Sequence, residues 1–249
     1  MKRFYPFMLA LVLTVNSYVS VAQTEEFQEP WKDNSTAIVI DAFEGNAIDW
    51  DKLATDDRVA AVIHRASIGY RKDKQYFQRR ILAKKHGYKW GSYHVGKRGN
   101  PIKQADFYLR SARPAKDEVM VLDLEDVESG KFMNIAQARL FIKRIKQKTG
   151  RYPMVYGNYK VITKISTMIG KDDLFSQTPL WYARFRNLLP DFPKGTWQTY
   201  TLWQFSCEIN CKPTQQDLCP YLVPGTETDI DVNVYNGTVD NLRKSWPFN

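Results

Sequence analysis

The sequence predicts an α/β protein: an irregular TIM-like (β/α) barrel with eight strands and reduced helices in its C-terminal part. Three observations predict it. Eight short apolar runs follow one another from Ala37 onward. Helical patterns separate the earlier runs, an alternation that implies parallel strands and right-handed crossovers. Polar residues gather at the C-terminal ends of the runs, where such barrels carry their functional groups.

The first run is Ala37–Ile40, ending at Asp41, and the second is Val59–Ile63, ending at His64-Arg65-Ala66-Ser67. A helix expected over Asp73–His86 stops at Gly87. The third run, Trp90–Val95, carries Tyr93 and His94, and a helix over Ile102–Ala112 starts just after Pro101. The fourth run, Val119–Leu122, leads into Asp123, Leu124, Glu125 and Asp126. Asn134 caps a helix over Ile135–Thr149 that stops at Gly150. Run five, Met154–Tyr156, precedes a helix over Asn158–Ile169. Runs six to eight are Leu180–Arg184, Thr201–Phe205 and Ile230–Val234. They lie in a portion with few helical patterns, hence the reduced helices.

The N-terminus reads as a leader rather than as fold. Lys2 and Arg3 precede an apolar stretch from Phe4 to Val15, and Ser20-Val21-Ala22 offers a cleavage site before Gln23. That stretch is too short to span a bilayer, so an exported protein without stable membrane insertion is expected, periplasmic or secreted. The organisation is then 1–22 leader, 23–36 lead segment and 37–249 barrel. The formal charge is +9. Its cations are spread over helical faces, such as Arg79, Arg80, Lys84 and Lys85, which reads as solvated surface and not as a nucleic-acid site.

Asp123 and Glu125 carry the chemistry. Side chains alternate along a strand, so the two carboxyls share a face, with Cα atoms about 6–7 Å apart. Carboxyls at the end of a buried strand are costly unless solvated, paired or used. Pairing with Arg65 or Arg184 is the structural alternative; placement at a strand end favours function. Asp41 and Asp231 complete an acidic mouth. Crowded carboxyls raise one another's pKa, and one held protonated is a general acid of the kind glycoside cleavage needs. Two carboxyls on one strand cannot flank a sugar ring from both faces. Asp41 or Asp231 must serve from across the barrel, or the substrate's own 2-acetamido group supplies the nucleophile.

Other chemistries find less support. With 3 His and no EF-hand spacing, no metal or other cofactor is expected. There is no G-x-S-x-G, P-loop or dinucleotide glycine pattern. Cys207, Cys211 and Cys219 are taken to lie away from the strand ends, as one local disulfide and one free thiol.

The ordered blocks VIDAFEGNAIDW, HRASIGY, GSYHVG, VLDLED, MVYGNY, LWYARF, TLWQFS and IDVNVY resemble glycoside hydrolase family 25, the Chalaropsis-type lysozymes. The resemblance runs from about Ala37 to Val239. It implies a muramidase acting on peptidoglycan glycan strands, with Glu125 as general acid and Asp123 orienting the acetamido group. Asp41 and Asp231 would line the cleft. Tyr93, Tyr156, Trp181 and Trp203 would contact sugar, and His94 joins this substrate-binding set. A monomer is expected. The chain departs from the family pattern at Ile68, where many members carry an acid, at Phe43-Glu44-Gly45, and in the cysteine segment. A non-catalytic glycan-binding protein on the same fold is the alternative. A family 18 chitinase-like enzyme would need an acid at Val121.

Overall fold

A computed structural model of the protein describes residues 28–169, 174–189 and 191–248. The expected leader lies outside the described residues. The strands are β1 (Thr36–Ala42), β2 (Val59–Ile68), β3 (Arg71–Lys72), β4 (Lys89–Val95), β5 (Val119–Leu124), β6 (Met154–Asn158), β7 (Leu180–Ala183), β8 (Leu202–Ser206) and β9 (Asp231–Thr238). The helices are α1 (Trp50–Leu53), α2 (Tyr76–Lys85), α3 (Pro101–Ala112), α4 (Ile135–Thr149), α5 (Tyr159–Ile169) and α6 (Val239–Ser245). Strand order is β1-β9-β8-β7-β6-β5-β4-β2, and pairing of β1 with β2 closes an eight-stranded barrel. The short β3 only folds back on β2.

The helices start and stop where local chemistry tells them to. Asn100 caps α3 through Lys103 N–H, with Pro101 in the first turn. Asn134 and Gln137 form a capping box on α4, and Gly150 ends it at φ 74°. Helix α2 begins three residues after Asp73, whose carboxylate accepts from Gln75 N–H and Glu44 N–H and pairs with Arg65. Among the described residues no α-helix joins β7 to β8, and only a 3-10 turn, Gln216–Leu218, interrupts the path from β8 to β9, as the helix-poor C-terminal sequence implies.

One expectation fails. The last strand is antiparallel to both of its neighbours, β1 and β8. A parallel strand would need a crossover down the outside of the barrel. Instead residues 207–230 begin and end at the mouth, pass over the outer layer with Tyr221 donating to Asp56 at 2.6 Å, and feed β9 back downward. Asp231 therefore stands at the start of its strand yet opposite Asp41, which lies near the C-terminal end of β1.

Strand alternation divides the core in two. Ala37, Val39, Ala61, Ile63, Val119, Val121, Met154 and Leu202 fill the barrel. Ile38, Ile40, Val62, Leu122 and Val155 belong to the layer between strands and helices. At the bottom, α6 brings Leu242 and Trp246 into the inner cluster, and Trp246 Nε1 donates to Trp90 O at 3.2 Å.

The cysteines pair as Cys211–Cys219, leaving Cys207 free and buried. Cys207 follows directly on β8 and lines the mouth, so the segment is not remote from the strand ends. Burial pushes its thiol up to about 12, which keeps it protonated and unreactive. Thiol labelling should therefore modify no cysteine in the native protein and one after denaturation without reductant, read by intact mass.

Candidate active site

The acidic residues converge as the strand parity demands. Asp41, Asp123, Glu125 and Asp231 act on one another electrostatically at one end of the barrel. Neither candidate structural partner takes them. Arg65 pairs with Asp73 at 3.2 Å and Glu44 at 3.6 Å, and Arg184 pairs with Asp191 at 2.7 Å.

A relay of side chains holds Asp41. Its Oδ2 accepts from Asn233 Nδ2 at 2.9 Å and from Gln204 Nε2 at 3.3 Å. Behind these, Trp181 Nε1 donates to Asn233 Oδ1 at 2.5 Å, and Tyr156 OH donates to Gln204 Oε1 at 2.8 Å. Two donors favour the carboxylate, but burial outweighs them and raises Asp41 from an ordinary 3.8 to about 7. The native state then holds a proton that the unfolded chain has released. This contribution to stability is complete below pH 3.8 and is lost as pH rises to about 7. Its size is on the order of a few kcal/mol. Scanning calorimetry should show the thermal midpoint falling across that window, with a shallower fall in Asp41→Asn.

Asp123 is more isolated. It is 5% exposed, and its Oδ1 has no hydrogen-bond partner. Burial raises its pKa well above the ordinary value, and the charges of Glu125, Asp41 and Asp231 add to this. Asp231 is raised likewise, by burial and then by Asp41. Glu125 stands just beyond β5, open to solvent but crowded by the walls of the mouth. That crowding raises its pKa, while the charge of Lys97 pulls it back. The result is a carboxyl inclined to hold its proton beside a buried one.

Tyr93, Tyr156 and Trp181 belong to the inner cluster, and Trp181 meets both tyrosines edge-on. Trp181, 2% exposed, is the floor of the mouth rather than an open platform. A cleft of about 290 Å³ beside them is lined by Phe43, Tyr156, Phe185, Gln204, Cys207, Glu208, Ile209, Asp229 and Asp231. A larger recess, about 660 Å³, lies at the opposite end of the barrel and has no carboxylate in its lining.

Two expected contacts are corrected. His94 points out of the barrel, fully buried: Nδ1 meets Ser67 Oγ at 2.8 Å, Nε2 meets Gln104 Oε1 at 3.2 Å, and Phe141 stacks on its ring. Trp203 also faces outward. It packs on Trp31 and Tyr200, and its Nε1 donates to Arg184 O at 2.7 Å. Both have odd parity with respect to the inward residues Tyr93 and Gln204, so neither can reach the cleft. Gln204 and Asn233, the two residues that hold Asp41, were not singled out from sequence. Their signal was present as polar residues at inward positions of β8 and β9. Among the described residues, no group of three His, Cys, Asp or Glu is arranged to hold a metal ion.

Comparison with known proteins decides the family. The model of glycosyl hydrolases family 25 matches residues 40–213. The chain belongs to this family. As a family 25 protein it is a glycoside hydrolase. It is 26% identical over 207 residues to the uncharacterized protein YegX of Escherichia coli O6:H1, covering 79% of this chain and 68% of YegX. Among solved structures, a family GH25 lysozyme from Aspergillus fumigatus superposes with TM-score 0.67 at 22% identity, over 84% of this chain and 98% of that one. The bacterial lysozyme from Streptomyces coelicolor gives 0.66 at 22% identity, over 84% and 96%. At these identities the superpositions establish the TIM-like barrel of the family 25 chain.

Proposed function

We propose that this protein is an exported N-acetylmuramidase that hydrolyses the β-1,4 bond between N-acetylmuramic acid and N-acetylglucosamine in peptidoglycan. One observation carries the assignment of roles: the buried, unpartnered Oδ1 of Asp123, close enough to Glu125 for the two carboxyls to interact. A buried acceptor without a donor is costly, and a substrate N–H would relieve it. Glu125 gives its proton to the glycosidic oxygen as the bond to C1 breaks. Asp123 accepts from the acetamido N–H, turning the acetamido carbonyl oxygen onto C1 to form a cyclic oxazolinium. Glu125, now a carboxylate, takes a proton from water as that water opens the ring, with net retention. Asp41 and Asp231 line the far wall, and Tyr93, Tyr156 and Trp181 shape the floor.

That the structural neighbours are lysozymes and muramidases supports this reading. The assay is incubation of the purified protein with peptidoglycan and quantitation of new reducing ends and released muropeptides. Their appearance is expected. Binding to the wall without any new reducing ends, across a pH series and several wall types, would instead identify a glycan-binding protein on the same fold.

A further inference from the structure

The mouth is acidic, yet the proposed substrate is itself a polyanion. Muramyl units carry a 3-O-lactyl group that ends in a carboxylate or continues into an acidic stem peptide. Carboxyls, whether neutral or ionised, give such a chain no countercharge unless a cation meets it at the rim. Arg65 is already held by Glu44 and Asp73. Lys97 is not: among the described residues it forms no ion pair with a carboxylate. Its Nζ lies 3.8 Å over the Phe132 ring, and its charge acts on Glu125. On the neighbouring strand, the rim residue is the half-buried, apolar Ile68.

Lys97 is also held with unusual care for a loop lysine. It bridges to Phe132 as an isolated β-pair, while Gly96 N–H donates to Asp123 O at 3.0 Å and Gly96 O accepts from Met133 N–H at 3.0 Å. The side chain of buried Gln104 clamps its backbone, accepting from Lys97 N–H at 3.1 Å and donating to Lys97 O at 2.7 Å. Gln104 Oε1 must be an acceptor here, so the His94 Nε2 that meets it carries a hydrogen. Nδ1 of His94 then accepts from Ser67. Burial lowers His94 to about 4, consistent with this neutral form. The histidine that sequence placed against the substrate thus braces the residue that faces it.

We propose that Lys97 is a specificity residue that receives the carboxylate borne on the 3-O-lactyl side of the muramyl unit, whether the lactyl group's own or one of the attached stem peptide. The inference rests on the muramidase reading for its substrate but not for its test, which measures binding. Affinities would be measured by calorimetry in the Glu125→Gln background, with and without Lys97→Met. The ligands are peptide-free MurNAc–GlcNAc oligosaccharides, the same oligosaccharides with carboxylates converted to methylamides, and stem-bearing muropeptides. Lys97→Met should weaken binding of a carboxylate-bearing ligand roughly five- to tenfold and flatten its salt dependence, and leave the methylamide unaffected. Lys97→Arg should keep most of the affinity. Loss with the peptide-free ligand locates the carboxylate on the lactyl group, and loss only with muropeptides locates it on the stem. Equal affinities with and without Lys97, or equal losses on charged and amidated ligands, would overturn the proposal. Absence of reducing ends in the activity assay would sink only the muramidase reading.

Discussion

Glu125→Gln is expected to lower the release of reducing ends from peptidoglycan by roughly 10²–10⁴-fold, the usual contribution of a positioned general acid. The carboxyl is open to solvent beyond the end of β5, so an amide of the same shape should leave the thermal midpoint nearly unchanged. The pH profile carries the sign. A general acid works only while protonated, so activity should fall as pH rises through the elevated pKa of Glu125. Lys97→Met removes the charge that opposes this elevation and should move that alkaline limb to higher pH. Undiminished activity in Glu125→Gln would remove this residue from the mechanism.

Asp123→Asn should separate activity from stability. The amide can still fill the space, but it cannot bear the negative charge that offsets the positive oxazolinium. A loss of roughly 10²-fold or more is expected, of the size seen when one preorganised electrostatic group is removed. Stability should move the other way. The native Asp123 carboxyl is buried, raised well above its ordinary pKa and unpartnered at Oδ1, a configuration that weakens the fold at neutral pH. Removing the ionisable group should raise the thermal midpoint near pH 7–8, with a smaller gain in acid, where the wild-type group is already neutral. A destabilised, fully active Asp123→Asn would contradict both halves of the argument.

Much of this site was legible in the chain because strand alternation is rigid. Once Val119–Leu122 reads as a strand, alternation puts Asp123 and Glu125 on one face; the strand ends at Leu124, and Glu125 just beyond it lies near enough to act on Asp123. What alternation does not state is which face is inside. In β8, Trp203 and Gln204 are both nearly inaccessible, at 0% and 2% exposure, so burial could not tell them apart. A tendency to find tryptophan against sugars drew Trp203 inward. In the folded chain the large apolar ring belongs to the outer layer, and the amide reaches the carboxyls. His94 fails for the same reason, one residue out of step with Tyr93. The direction of β9 was hidden because crossovers were inferred from helices, and the segment before β9 has almost none. Lys97 was invisible because its fixed place depends on Gln104, seven residues on, and on Phe132 from the next loop.

The antiparallel return of β9 also separates two jobs within one chain. Most loops at the mouth are tethered to a helix that packs the outer layer, so lengthening one disturbs the packing beneath it. The β8–β9 segment divides the two: its later part is tied to α1 and the outer layer through Gly225, Val223 and Tyr221, while its earlier part stands at the rim, stapled by Cys211–Cys219. It supplies Cys207, Glu208, Ile209 and Asp229 to the cleft wall. The rim around Cys207–Ile209 can therefore change by insertion or exchange while the scaffold that carries Asp123 and Glu125 stays as it is.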